Sequence, residues 1–209
     1  KRIYGEALNV EGVIGLVIGT RPDCVDEYIL DYLQELSEKY YIVLEYGVES
    51  IYNRTLQRIN RAHTFEDACR AIQLASERKI NIGIHLIFGL PGESKDDILS
   101  SLNTINSLNI STIKFHQLQL IKNTPMARDY ELLPDDFTFF ELEESADFII
   151  SYLEGLRPDY MIERLAGEVP PRFLAREAWG LIRYDQVLRI IENRMTELKT
   201  WQGKYYKGF

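Results

Sequence analysis

Cysteine is scarce in this chain: only Cys24 and Cys69 occur among 209 residues. They stand far apart and in no metal-ligand spacing, which argues against a disulfide framework. Long apolar runs are also missing. No stretch reaches the roughly 18 uncharged apolar residues that cross a bilayer, and the first residues lack the basic-then-apolar plan of a secretion signal. A cytoplasmic protein with no membrane partner is the expectation. Positive charge falls short as well, with 24 Lys and Arg against 32 Asp and Glu and a net charge of -8. That balance argues against non-specific binding of nucleic acid over the whole surface. The cations that exist gather late: beyond Pro170, Arg172, Arg176, Arg183, Arg189, Arg194, Lys199, Lys204 and Lys207 outnumber Glu177, Asp185, Glu192 and Glu197. Such a segment is either a patch for RNA or another anion, or solvated helix surface.

What is present is an ordinary globular composition, 45% hydrophobic and 27% charged, enough to bury a substantial core. Apolar runs rich in Val and Ile alternate with longer amphipathic stretches, the order that yields parallel strands joined by helices. Val13 to Ile18, Tyr41 to Val48, Ile80 to Phe88 and Ile110 to Leu120 read as strands. Between them Val25, Ile29, Tyr32, Leu33 and Leu36 recur at helical spacing, Thr64 is placed to cap a helix carrying Ala68, Ile72 and Ala75, and Ser94 to cap one carrying Ile98, Leu102 and Ile105. Beyond Pro134 the rhythm changes to a helix over Phe139 to Leu153, a short strand at Tyr160 to Leu165 and a final helix over Tyr184 to Lys199. Residues 1–134 and 135–209 are thus expected to form a barrel part and a mostly helical extension.

Ligands of parallel α/β folds bind at the carboxyl ends of strands. Four such ends are polar or glycine-rich: Gly19-Thr20-Arg21-Pro22-Asp23, Gly47-Val48-Glu49-Ser50, His85 through Glu93 with the sequence H-L-I-F-G-L-P-G-E, and His116-Gln117-Leu118-Gln119. Arg21 and Asp23 suit either a substrate contact or an ion pair that fixes their loop.

T-R-P-D, then G-V-E-S followed by N-R, then I-F-G-L-P-G-E, and later N-T-P-M, occur in this order. The set resembles the radical S-adenosylmethionine (SAM) superfamily, in the branch of the elongator catalytic subunit and oxygen-independent coproporphyrinogen oxidases, which includes a bacterial group of iron-sulfur oxidoreductases. The resemblance covers about Val13 to Ala127. It implies a partial TIM-like (βα)6 barrel that begins near the third strand, and a SAM site in which Glu49 and the adjoining Ser50 meet the ribose or amino-acid part. In the same site Arg61 pairs with the carboxylate of SAM, His85 stands near the ribose, Ile87 presses on adenine and the main chain of Gln117 meets the adenine edge. The residue types suit those tasks, since guanidinium grips a carboxylate bidentately and an imidazole donates or accepts. Two positions depart from the family pattern: His85 replaces an aspartate, and Gly19 stands where relatives often carry a glutamate. Each residue also has a plain reading, Glu49 as a helix cap, Arg61 as surface, His85 and Ile87 as core, and Gly89 and Gly92 as a tight turn.

Enzymes of this superfamily hold a [4Fe-4S] cluster on three closely spaced cysteines, a motif these residues lack. A piece of a longer radical SAM enzyme is therefore expected, inactive alone, whose whole would form a 5'-deoxyadenosyl radical with electrons from a flavodoxin or ferredoxin. Its substrate would be tRNA or a small molecule, with Trp201 to Phe209 as an RNA contact, a disordered end or a segment packed across the barrel mouth. The alternatives are a non-catalytic barrel that serves binding or assembly, and a barrel enzyme unrelated to SAM with a phosphate-type site near its last strands.

Overall fold

A computed structural model describes residues 1–176, 179 and 182–208. The chain runs α1 (Arg2–Leu8), β1 (Gly15–Thr20), α2 (Glu27–Ser37), β2 (Tyr41–Glu49), α3 (Asn53–Arg58), α4 (Phe65–Glu77) and β3 (Asn81–Phe88). It continues through α5 (Lys95–Ser100), α6 (Leu102–Asn106), β4 (Thr112–Gln117), α7 (Pro125–Leu132), α8 (Leu142–Gly155), β5 (Met161–Arg164) and α9 (Tyr184–Glu197). The strands form one parallel sheet in sequential order. This is the wall of an open α/β barrel, and the segment beyond residue 134 extends it by adding β5 beside β4.

Alternation along the strands gives the sheet two different faces. Leu44, Tyr46, Val48, Ile82, Ile84, Leu86, Phe88, Ile113 and Phe115 are buried in one large apolar cluster with Leu30, Leu33, Ala68, Ile72, Ala75 and Ile149 of the helices. Phe88, Phe115, Phe148 and Tyr152 pack ring against ring there, with centroids 5.0 to 5.6 Å apart. Glu45, Gly83, His85, Ile87, Thr112, Lys114 and His116 occupy the alternate positions.

The expected caps form. Thr64 accepts from the Asp67 amide and Ser94 from the Asp97 amide, and each Asp side chain returns the bond to the cap amide. The helix expected from Ser94 through Ile105 divides at Ser101, whose hydroxyl donates to the Ile98 carbonyl at 2.6 Å and contacts Tyr152 Oη at 3.0 Å. That local bond competes with the helical ladder. The fourth strand ends at Gln117 rather than Leu120, and Ile121 instead bridges to Leu174. The segment after α9 docks on the α8–β5 turn: the Gly203 and Tyr205 amides donate to the Leu153 and Glu154 carbonyls at 2.9 and 2.8 Å. Because α8 leads into the start of β5, this contact lies at the amino ends of the strands. Phe209 and Glu177 fall outside the described residues. Of the late cations, Arg194 pairs with Asp147 and Glu197, Arg189 with Asp185, and Arg176 with Glu141.

Candidate functional site

A cleft of about 470 Å³ opens at the carboxyl ends of β2, β3 and β4, a size suited to a cofactor or small metabolite. Five of the residues singled out in the sequence line it together: Glu49, Arg61, His85, Ile87 and Gln117. They come from positions 49 to 117, so the fold and not the chain order assembles them.

Glu49 ends β2 at a bulge, where the pairing register with β3 shifts between Gly47 and Glu49. Its backbone is left-handed, with φ +66°, a conformation that costs a non-glycine residue about 1 kcal/mol or more. The bulge re-aims the carboxylate toward Arg61, whose Nη2 stands 3.2 Å from Glu49 Oε1 and donates to the Gly47 carbonyl at 2.8 Å. Arg61 is brought there by the end of α3. Asn60 adopts φ +57°, a conformation asparagine tolerates at helix ends, and the Arg61 amide bonds back to Leu56 at 2.8 Å. Gly47 is required by this geometry, since a Cβ there would sit 2.6 Å from Glu49 Oε1 and 2.8 Å from Arg61 Nη2. Burial pushes the Glu49 carboxyl above its usual range, against the pull of Arg61 and His85. The Nε of Arg61 is buried and has no hydrogen-bond partner among the described residues, so the guanidinium keeps a donor for a ligand.

His85 and Ile87 sit two residues apart on β3. His85 Nε2 lies 3.2 Å from Glu45 Oε2, and its ring centroid is 5.5 Å from that of His116 on β4. Burial, aided by the positive field of neighbouring groups, lowers the His116 pKa to about 4, and its Nε2 has no partner among the described residues. Ile87 contributes an apolar wall beside Ile59, Leu90 and Met126. The Gly89 turn that follows needs its glycine: φ is +88°, and a Cβ would approach the Thr138 carbonyl oxygen to 2.4 Å.

Gln117 is held by its side chain. Its amide nitrogen donates to the Gly167 carbonyl at 2.9 Å and its amide oxygen accepts from the Gly167 N–H at 2.8 Å. A ligand contact through the main chain is the reading compatible with that clamp. Ser50 is not among the residues that line this cleft. It is buried, its hydroxyl donates to Glu93 and accepts from the Tyr52 amide at 3.0 Å, and it lines a separate small hollow with Glu93. Ser50 thus braces the loop after β3 because its only hydroxyl is already engaged there. Arg21 and Asp23 form a bidentate pair at 2.9 and 2.6 Å, the loop-fixing arrangement.

The sequence placed His116 at a ligand-facing strand end but assigned it no role, and it gave no place to Glu45 and Lys114, which are ion-paired on the same face. The signal was present. Glu45 and Lys114 are charged residues that alternate with buried apolar ones along β2 and β4, the pattern of a strand face turned away from the core.

Of the two groups the sequence resemblance implies, SAM fits. The cleft offers an ion pair, an unsatisfied guanidinium nitrogen, imidazoles and an apolar wall. The [4Fe-4S] cluster does not fit these residues. Among the described residues no group of three or more His, Cys, Asp or Glu is gathered to hold a metal, and Cys24 and Cys69 lie after β1 and within α4.

Comparison with known proteins agrees with this architecture. Over 204 residues the chain is 29% identical to YtqA of Bacillus subtilis, covering 98% of the chain and 62% of that protein. It is 27% identical over 162 residues to tRNA uridine(34) acetyltransferase of Methanocaldococcus infernus, covering 75% of the chain and 29% of the relative. The solved structure of Elp3 from the same archaeon, lacking its N-terminus, superposes over 90% of the chain and 43% of its own with a TM-score of 0.77 at 21% identity, which shows a shared fold. The chain thus spans under two thirds of the relatives it matches. The profile of the radical SAM superfamily matches residues 2–105 and that of the radical SAM C-terminal domain residues 110–197. The chain belongs to the radical SAM superfamily.

Proposed function

We propose that residues 1–134 supply the SAM-holding wall of a radical SAM enzyme, with 135–209 as an extension packed upon it and the cluster ligands provided from outside this chain. The observation that carries the reading is the Glu49–Arg61 pair at the bulge, 3.2 Å apart and facing the same cleft as His85, Ile87 and Gln117. Members of the superfamily generally use SAM and a [4Fe-4S] cluster, and the activity proposed for the whole protein is reductive cleavage of SAM to methionine and a 5'-deoxyadenosyl radical. The residues of this chain bind and orient SAM. Arg61 receives the carboxylate of its amino-acid part, Glu49 accepts from its ammonium, and Ile87 packs against adenine. The proposed partners are a cytoplasmic electron donor such as flavodoxin or ferredoxin and, as substrate, tRNA or a small metabolite. For tRNA the support is the relative named tRNA uridine(34) acetyltransferase.

The test uses the full-length protein, reconstituted anaerobically, with SAM affinity and 5'-deoxyadenosine release as readouts. Glu49→Ala and Arg61→Ala should each weaken SAM binding by about tenfold or more, since each leaves a partly buried charge unpaired. Unchanged affinity and release in both would refute the site. A full-length protein that takes up neither iron nor SAM would return the barrel to a binding or assembly role.

A further inference from the structure

Glu45 is the most buried carboxylate on the cleft side of the sheet, 5% exposed, and the SAM reading gives it no task. It lies on β2 two residues before Gly47, directly opposite Gly83 of β3. That glycine opens the way across the sheet, because a Cβ at Gly83 would stand 3.1 Å from Glu45 Cγ and 2.6 Å from Thr112 Oγ1. Through this gap one carboxylate oxygen accepts from Lys114 of β4, which also stands 3.3 Å from Glu163. The other oxygen lies 3.2 Å from His85 Nε2. Burial pushes the Glu45 carboxyl up, yet Lys114 and His85 together outweigh it and hold the pKa below the usual value, so the group is an anion at neutral pH.

An ionised carboxylate only accepts, so the imidazole nitrogen facing it carries the hydrogen. In the neutral ring this leaves Nδ1 as the acceptor, the way a carboxylate fixes the tautomer of a histidine elsewhere. The His85 side chain is 27% exposed and lines the cleft, and Nδ1 has no hydrogen-bond partner among the described residues. On the cleft wall it stands on the same strand as apolar Ile87 and on the strand next to the Glu49–Arg61 pair. A ligand laid with its charged end on that pair and its apolar ring on Ile87 lies in the same cleft as His85.

We propose that Glu45 is a positioning residue for ligand recognition: by accepting the Nε2 hydrogen of His85 it presents Nδ1 to the cleft as the acceptor for a ribose hydroxyl of SAM. This rests on the SAM reading above. A histidine–carboxylate pair then does what a single carboxylate would do at the end of β3, with the negative charge one side chain further back and shared with Lys114.

The test pairs protein and ligand deletions in the reconstituted full-length protein, with binding of SAM and its 2'-deoxy and 3'-deoxy analogues measured by equilibrium dialysis. In the wild type, loss of the contacted hydroxyl should weaken binding about tenfold. In His85→Leu and in Glu45→Gln the same loss should cost less than about twofold, because the acceptor is gone or no longer held. Thermal melting checks that each variant folds. Should Glu45→Gln fail to fold, Glu45→Asp, which withdraws the carboxylate from Nε2 by one methylene, takes its place. Equal hydroxyl penalties in the wild type and the Glu45 variant would overturn the role of Glu45, as would an undiminished penalty in His85→Leu. A full-length protein without SAM affinity, or Glu49→Ala and Arg61→Ala variants that both keep unaltered affinity, would overturn the SAM reading itself, and either is distinguished because it is read with unmodified SAM alone.

Discussion

The two faces of the sheet are built from the same strands by opposite rules. Toward the helices, Leu44, Tyr46, Ile84, Leu86 and Phe115 interlock in a dry layer; toward the cleft, Glu45, His85, Lys114 and His116 take the intervening positions. One residue of offset separates scaffold from chemistry. The first face supplies the stability that lets the second hold charges and unsatisfied nitrogens that would weaken an ordinary core.

The sharpest way to break that contrast is to exchange costs between the faces. Phe115→Ala removes a ring that is 1% exposed and should lower unfolding free energy by about 3–5 kcal/mol, read by denaturant titration. Ile87→Ala, on the other face and half-buried, should cost much less stability while weakening SAM binding in the full-length protein. Comparable losses of stability in both would dissolve the distinction.

A finer probe is Gly47→Ala. Its Cβ would collide with the ends of the Glu49 and Arg61 side chains and not with backbone, so the fold should survive while the ion pair is displaced. Reduced SAM affinity with a nearly unchanged melting temperature is the expected result.

Acid offers a third probe. The folded His116 pKa is about 4, against 6.5 for the free side chain. Between those values the unfolded chain binds the proton more readily, so stability should fall as pH drops from 6.5 to about 4. His116→Gln should flatten that limb of the pH–stability curve. The smallest effect belongs to the surface: Arg194→Ala, which breaks exposed pairs with Asp147 and Glu197, should leave the melting temperature unchanged within error.

Much of this was legible in the sequence because the fold spaces its apolar runs regularly. Strand identity and the Thr64 and Ser94 caps follow from the apolar runs and the helical spacing between them, whereas Glu49, Arg61, His85, Ile87 and Gln117 are reached through the family resemblance. The rest needed register. Nothing local indicates that Gly83 would lie between Glu45 and Lys114, or that the Ser50 hydroxyl would be taken by Glu93 forty-three positions away. Short helices escaped for a related reason: α1, α3 and α7 are held by what they pack against and carry too few turns to show a periodicity. The tail from Trp201 also took its place only in the fold: it docks on the α8–β5 turn, at the end of the sheet opposite the cleft, and so does not pack across the barrel mouth.

The left-handed backbone of Glu49 places two selective pressures on one position. The chain conformation asks for glycine, while the cleft asks for a carboxylate. Glu49→Gly should therefore recover part of the stability lost in Glu49→Ala, by relieving the backbone, while remaining as poor at holding its ligand. Position 49 is thus a point at which the comfort of the backbone and the proposed ligand contact pull in opposite directions.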